Sequence, residues 1–273
     1  MPGDKPLHRC RVLTSPSPGV YATEIESGRH FQRHWHAAYG LGVMDHGAHR
    51  SSSDRRSVDA FAGDILCTNP GEVHDGRPLA GPVRRWRTAY IDPAIVRGLH
   101  EESGGSGDVA FRQASFSDPR LRLAVEPFLA RLVEWTEGRG DALAFEESLA
   151  TALGLMLRHH STGVPSRPAQ GADLAPVMQR LGDEFARTPS LAELAALAGI
   201  GRFQLLRRFR RLFGTTPHGW LMQHRVERAR MLIRRGSPIA DAAAQCGFAD
   251  QSHLTRVFTQ RFGFTPGAWK KAQ

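Results

Sequence analysis

Two groups of residues in this 273-residue chain have the types and spacing that chemistry requires. One is a set of arginines carried on a repeat. LLRRFRRLFGTTPHGW at 205–220 aligns with LTRVFTQRFGFTPGAW at 254–269, pairing Leu205 with Leu254, Arg207 with Arg256, Phe209 with Phe258 and Phe213 with Phe262. Gly214, Thr216, Pro217 and Trp220 pair likewise with Gly263, Thr265, Pro266 and Trp269. Leu and Phe at four-residue spacing form one apolar stripe of a helix, so the arginines between them take the open face, where a guanidinium can meet a groove. The other group is histidines. His34-Trp35-His36 places two imidazoles on one face of a strand, and His74 follows the turn-rich run Asn69-Pro70-Gly71-Glu72-Val73.

The elements that must position these groups differ along the chain. From about Tyr21 to Tyr90, apolar runs such as YGLGVM, DAFAGDILCT and RRWRTAYI alternate with Gly, Pro, Asp and Ser clusters, which predicts strands joined by turns. From Pro119 the spacing becomes helical. Leu121, Val125, Phe128, Leu132 and Trp135 form one stripe, and Leu149, Leu153, Met156 and Leu157 a second, which fits either packing on its own domain or a dimer helix. STGVPSRPAQGA at 161–172 has no apolar period and predicts a linker between domains at 1–160 and 173–273. Beyond it, Ser190 with Glu193 reads as a capping box, and Ser237 precedes Pro238 at a first helical position. An Ala-rich helix and a Gly turn precede each repeat, LAELAALAGIG and IADAAAQCGFAD, which is helix-turn-helix grammar. Two copies are too few for a stable solenoid.

Charge follows the same division. Residues 1–172 carry 20 basic and 20 acidic side chains, and 173–273 carry 16 and 7, so the whole net charge of +9 belongs to the rear. A basic domain attracts polyanions by releasing their condensed counterions, although a solvated Arg-rich face would look the same by charge alone. Apolar content of 41% and charged content of 23% exclude a wholly disordered or fibrous chain. Cys10, Cys67 and Cys246 are odd in number and unclustered, which suggests buried thiols rather than disulfides or a thiolate metal site. No apolar run reaches the roughly 18 residues that span a bilayer, and MPGDKPLHRC lacks a secretory apolar core; a cytoplasmic protein without membrane contact is expected.

Residues 174–270 resemble the DNA-binding domain of the AraC/XylS family of bacterial transcription regulators. The most diagnostic stretch is QCGFADQSHLTRVFTQRFGFTPGAW, where Gly247, Phe248, Phe258, Phe262, Gly263, Pro266 and the closing aromatic fall at the family's spacing. The resemblance implies two helix-turn-helix units tied by a linker helix at about 217–235, entering successive major-groove faces of double-stranded DNA. Carried over residue by residue, the base-facing positions fall on Phe203, Leu206 and Arg207 in the first recognition helix, and on Ser252, His253 and Arg256 in the second. Arg207 and Arg256 can each bond two acceptors on a guanine edge, whereas Leu206 can meet only a thymine methyl. Arg208, Arg210, Arg211 and Arg261 are expected at phosphates or as solvated charge. Gly201 replaces the usual Ser cap.

The front motifs are similar to those of the cupin barrel, in which His74 would converge with His34 and His36. Three imidazoles could hold a divalent metal, but Gly40 stands where the acidic ligand is expected and Glu72 is off the ligand position. The expected site is therefore an effector pocket for a small molecule at His34, His36, Tyr39 and His74, against a satisfied hydrogen-bond network within the barrel and Tyr39 as a core residue, with no metal, no cofactor and no catalytic residue. The expected fold class is α+β: a cupin-like β-barrel with accessory helices, then an all-α double helix-turn-helix domain. The resemblance implies an effector-responsive activator, with RNA polymerase and a second copy of the chain as further partners. The alternative is a metal-dependent cupin enzyme, such as a dioxygenase, or a metal sensor fused to DNA-binding helices. A DNA-repair methyltransferase sharing the rear module would need a cysteine cluster that this chain lacks.

Overall fold

The computed structural model describes residues 6–53, 56–103, 105–163 and 174–272, the side chains at 56, 163, 202 and 203 excepted. Two compact units divide the chain at residue 164, a sheet-rich front and a helical rear.

The front begins with β1 (His8–Leu13), β2 (Val20–Ser27), β3 (Phe31–His34), β4 (Tyr39–Ser53), β5 (Arg56–Phe61), β6 (Ile65–Thr68) and β7 (His74–Ile91). It continues through α1 (Pro93–Glu102), β8 (Val109–Phe111), β9 (Ser115–Phe116), α2 (Pro119–Thr136), α3 (Ala142–His160) and β10 (Ser161–Gly163). β4 and β7 pair antiparallel from Tyr39 opposite Ile91 to Ser53 opposite His74, with register shifts between Met44 and His49. Such bulges leave extra residues unpaired and bend the strand. β2 and β6 flank one half of this long pair, and β3 and β5 flank the other.

The expected barrel is not what the strands make. They run in the open order β1-β2-β7-β4-β6-β9, and no pairing among the described residues joins the two ends. The long β4–β7 pair, bent at its bulges, carries the other strands without hydrogen-bonded closure among the described residues. The end strand β1 is covered instead by α2, where Thr14 N–H donates to Thr136 Oγ1 at 2.8 Å and Arg11 pairs with Glu137 at 3.0 Å.

Asp118 caps α2, accepting from Arg120 N and Leu121 N, and Pro119 sits where no intrahelical donor is required. Leu121, Val125, Phe128 and Leu132 are buried against Phe145, Leu149, Leu153, Met156 and Leu157 of α3 and against Leu41, Ile65 and Ile91 of the sheet. The stripe at 149–157 is thus consumed by its own core and offers no dimer face. The linker expected from residue 161 also shifts: Ser161–Gly163 pair antiparallel with β8, while 164–172 lie outside the described residues.

The rear unit holds α4 (Ala175–Asp183), α5 (Leu191–Leu197), α6 (Arg202–Phe213), α7 (Pro217–Arg234), α8 (Ile239–Gln245), α9 (Gln251–Phe262) and α10 (Pro266–Lys271). The Ser190–Glu193 capping box forms, whereas Pro238 is the cap of α8 rather than its first residue. Both repeat helices are 12 residues long and end on a left-handed glycine, Gly214 at φ 68° and Gly263 at φ 81°. Leu205 and Phe209 are buried with Leu194 and Leu221. Leu254, Phe258 and Phe262 are buried alongside Phe264 and Trp269, whose indole N–H donates to the Arg230 carbonyl at 3.0 Å. No described helix is long and apolar enough to cross a membrane.

Candidate nucleic-acid interface and ligand site

In each helix-turn-helix unit a short helix holds the longer one by its apolar stripe, α5 against α6 and α8 against α9. With Leu205 and Phe209 turned inward, Arg207, Arg210 and Arg211 are exposed, while Leu206 and Arg208 are half-buried. In the second unit, Ser252 and Arg256 are exposed and His253 and Arg261 are half-buried. The structure therefore presents Arg207 and Arg256 at equivalent helix positions on open faces. Arg180, Arg187 and Arg230 form ion pairs in the rear unit; Arg207 and Arg256 form none with a described residue. Phe203 is on the first turn of α6, and its side chain lies outside the described set.

His253 and Arg261 have a second setting. With His218, Met222 and Arg225 they line a cleft of about 590 Å³ between α7 and α9. Desolvation lowers the pKa of Arg261 below the usual guanidinium value, and that of His218 is lowered by desolvation and by the nearby Arg225 charge. The His253 ring meets Phe248 edge-on at 5.3 Å, and its backbone N–H is capped by Asp250.

Sequence reasoning gave no role to Arg225. It lies on the inner face of α7, donating to the carbonyls of Phe185 at 2.6 Å, Gly247 at 2.9 Å and Ala186 at 3.0 Å, and to Thr188 Oγ1 at 2.9 Å. One guanidinium thus joins the segment before α5 to the turn between α8 and α9. Its only sequence signal is position: Leu221, Arg225 and Ala229 follow one another at helical spacing on one face, and all are buried.

In the front unit, His34 and His74 are register partners across β3 and β7, and His36 follows β3 in a loop whose carbonyl accepts from Gly71 N–H at 2.8 Å. The rings converge: centroids are 4.4 Å apart for His34 and His74, 5.0 Å for His34 and His36, and 5.3 Å for His36 and His74. One ring nitrogen of each lies within 4.8 Å of the others. His34 Nδ1–H donates to the Gln32 carbonyl at 2.7 Å and His74 Nδ1–H to the Glu72 carbonyl at 3.0 Å. Carbonyls can only accept, so these rings carry hydrogen on Nδ1 and are left with Nε2 to offer. Burial lowers the pKa of His74, opposed by its hydrogen bond to Glu72. The Glu72 carboxylate is occupied elsewhere, accepting from Ser53 Oγ and from Asn69 N at 2.9 Å.

Tyr39 does not join this cluster. Its hydroxyl donates to the Val109 carbonyl at 2.6 Å and its ring packs on Phe111 within the helix-facing core. An aromatic that does reach the histidines is Tyr90, whose centroid is 4.7 Å from that of His36. Tyr90 is opposite Tyr21 and Gly40 in the sheet, a non-local pairing that local alternation does not reveal.

A bent-sheet unit with a histidine cluster, followed by twin helix-turn-helix units with arginine-bearing faces, defines a ligand-binding DNA-binding protein. The AraC-like ligand binding domain model matches residues 17–153 and a helix-turn-helix domain model matches 194–272. The chain belongs to the AraC family and is a transcription regulator rather than an enzyme. It is 29% identical to YbfI, an HTH-type transcriptional regulator of Bacillus subtilis, over 82% of this chain and 81% of that one. It is 40% identical to the transcriptional activator NphR of Rhodococcus over 76% of this chain and 56% of NphR. ToxT from Vibrio cholerae shares the fold, with a TM-score of 0.51 at 13% identity over 97% of both chains.

Proposed function

We propose that this regulator reads double-stranded DNA with Arg207 and Arg256 as its principal base contacts, and that the histidine cluster of the front unit is its effector site. The carrying observation is the exposure of both arginines, at equivalent positions of two repeat helices, above buried leucine and phenylalanine. A side chain that the core does not need is available to a base edge. Leu206, Ser252 and His253 flank these arginines along the same helices. Arg208, Arg210, Arg211 and Arg261 supply the phosphate contacts that fix register without reading sequence. The likeness to NphR, a transcriptional activator, supports activation of transcription as the outcome of DNA binding.

Salt dependence tests this reading. Four phosphate contacts give a slope of log affinity against log salt of about −3.6 in duplex DNA. The full chain is expected to show a slope at least that steep, and Arg210→Ala and Arg211→Ala each to reduce it by about 0.9 while weakening all sequences alike. Binding that is insensitive to salt, or unchanged in both variants, contradicts the proposed interface.

A further inference from the structure

We propose that the cleft between α7 and α9 binds a small organic anion with an apolar body, and that this anion displaces DNA from the second recognition helix. The displacement rests on the reading of His253 and Arg261 as DNA contacts; the anion site rests on the cleft itself.

Charge points to the anion. The described lining of the cleft holds His218, Arg225, His253 and Arg261 and no carboxylate. Arg225 is 4% exposed and donates to three carbonyls and a hydroxyl, all of them neutral. These partners satisfy hydrogen bonds but supply no counter-charge, and a buried charge gains from one. Desolvation lowers the pKa of His218, and the charges of Arg225, Arg261 and His253 lower it further, so the four groups act on one space. The backbone adds to this field. His218 and His253 stand in the first turns of the 18-residue α7 and the 12-residue α9, whose amino ends carry partial positive charge. The α9 cap, Asp250, is occupied by the His253 N–H at 2.6 Å and is not part of the described lining. His253 Nδ1 accepts from Ala249 N–H at 3.5 Å, which leaves Nε2–H as a donor. Donors and cations gathered in this way favour an oxyanion, through charge-assisted hydrogen bonds.

Size and lining decide what carries the anion. A cleft of about 590 Å³ is larger than inorganic phosphate requires, and Met222, Phe248 and Val257 give it apolar walls. Sites for small organic ligands combine such walls with a few convergent polar groups. A carboxylate or phosphate monoester on an aromatic body matches both parts. Once it is seated, His253 and Arg261 are no longer available to DNA.

The test titrates the full chain with naphthyl phosphate, against naphthol, inorganic phosphate and chloride at matched ionic strength. Calorimetry should show saturable binding with a Kd below about 1 mM. Naphthol and inorganic phosphate, each lacking one part of the match, should bind at least about 10-fold more weakly. The methyl resonance of Met222, identified with Met222→Leu, should shift on binding, which locates the site in the wild-type chain. His218→Ala and Gln260→Glu, both at exposed positions of the lining, should each weaken binding about 10-fold. Duplex affinity, read by fluorescence anisotropy, should fall about 10-fold at a probe concentration about 10 times its Kd, beyond any effect of chloride. Inorganic phosphate acting as well as naphthyl phosphate would overturn the proposal and make the cleft a seat for a DNA backbone phosphate. It is overturned equally if only methionines outside the cleft respond, if both variants bind as the wild type does, or if duplex affinity persists with the Met222 resonance fully shifted. Duplex binding without probe separates the two readings: if it is absent, the regulator reading falls, while calorimetry and the Met222 resonance still decide the anion site.

Discussion

Arg225→Ala is expected to destabilise the rear unit by about 3 kcal/mol or more, because three carbonyls lose a buried donor at about 1 to 3 kcal/mol each. Arg225 is 4% exposed and is the common donor to Phe185, Ala186, Thr188 and Gly247. Arg225→Lys should not rescue, because one ammonium cannot span acceptors that a planar fork reaches together. Gly247 shows how tight this junction is. It has φ +72°, and an added Cβ would stand 2.3 Å from the Ala186 carbonyl oxygen, so Gly247→Ala should fail through both strain and collision. Denaturant unfolding of the full chain, followed by helical signal, checks both variants; a loss below about 1 kcal/mol for Arg225→Ala contradicts the assigned anchoring role.

Acid is expected to destabilise the front unit through His49. Arg84, fully buried, donates from Nε to His49 Nδ1 at 2.8 Å, with NH1 on the carbonyls of Ser27 at 3.1 Å and Arg29 at 3.0 Å. The His49 nitrogen must therefore accept, which requires a neutral ring. Burial first, and then the Arg84 charge, push its pKa down to about 3 from the usual 6.5. Between those two values the unfolded chain holds a proton that the folded chain does not, so stability rises with pH there and is lost as pH falls from about 6.5 toward about 3. One proton corresponds to about 1.4 kcal/mol per pH unit. His49→Gln keeps an acceptor for Arg84 and cannot titrate, so its stability against pH should be flatter by one proton; an unchanged slope would show that His49 already charges in the folded protein.

Arg84 marks what alternation could have revealed. In RRWRTAYI, residues 84, 86 and 88 share a face, and Arg84, Trp86 and Thr88 are all buried, with the guanidinium 4.8 Å from the Trp86 ring centre. β7 as a whole was harder to read. Gly76, Pro78, Gly81 and Pro82 look like turn residues, yet they belong to one 18-residue strand, because its register shifts accommodate them and its partners are set by distant segments. The same non-locality hid the open sheet and brought Tyr90 rather than Tyr39 to the histidines. The rear unit was legible for the opposite reason. Its contacts are local, each helix-turn-helix motif is a short continuous segment, and the repeat printed the pattern twice. Arg225 escaped because a lone arginine on a basic helix reads as solvated until the carbonyls around it are known.

Arg207 and Arg256 are expected to read bases in sites about one helical turn apart. The most direct measurement is the selection of bound sequences from a random duplex library by the wild-type chain, Arg207→Ala and Arg256→Ala, with affinities for the selected site. Wild type should yield two conserved elements about 10 base pairs apart, and each variant should lose preference within one element only. Arg256→Ala should cost about 1 to 3 kcal/mol at the specific site and much less at unrelated DNA. If either variant weakens every sequence by the same factor and keeps the wild-type preference, these arginines do not read bases and the account is contradicted.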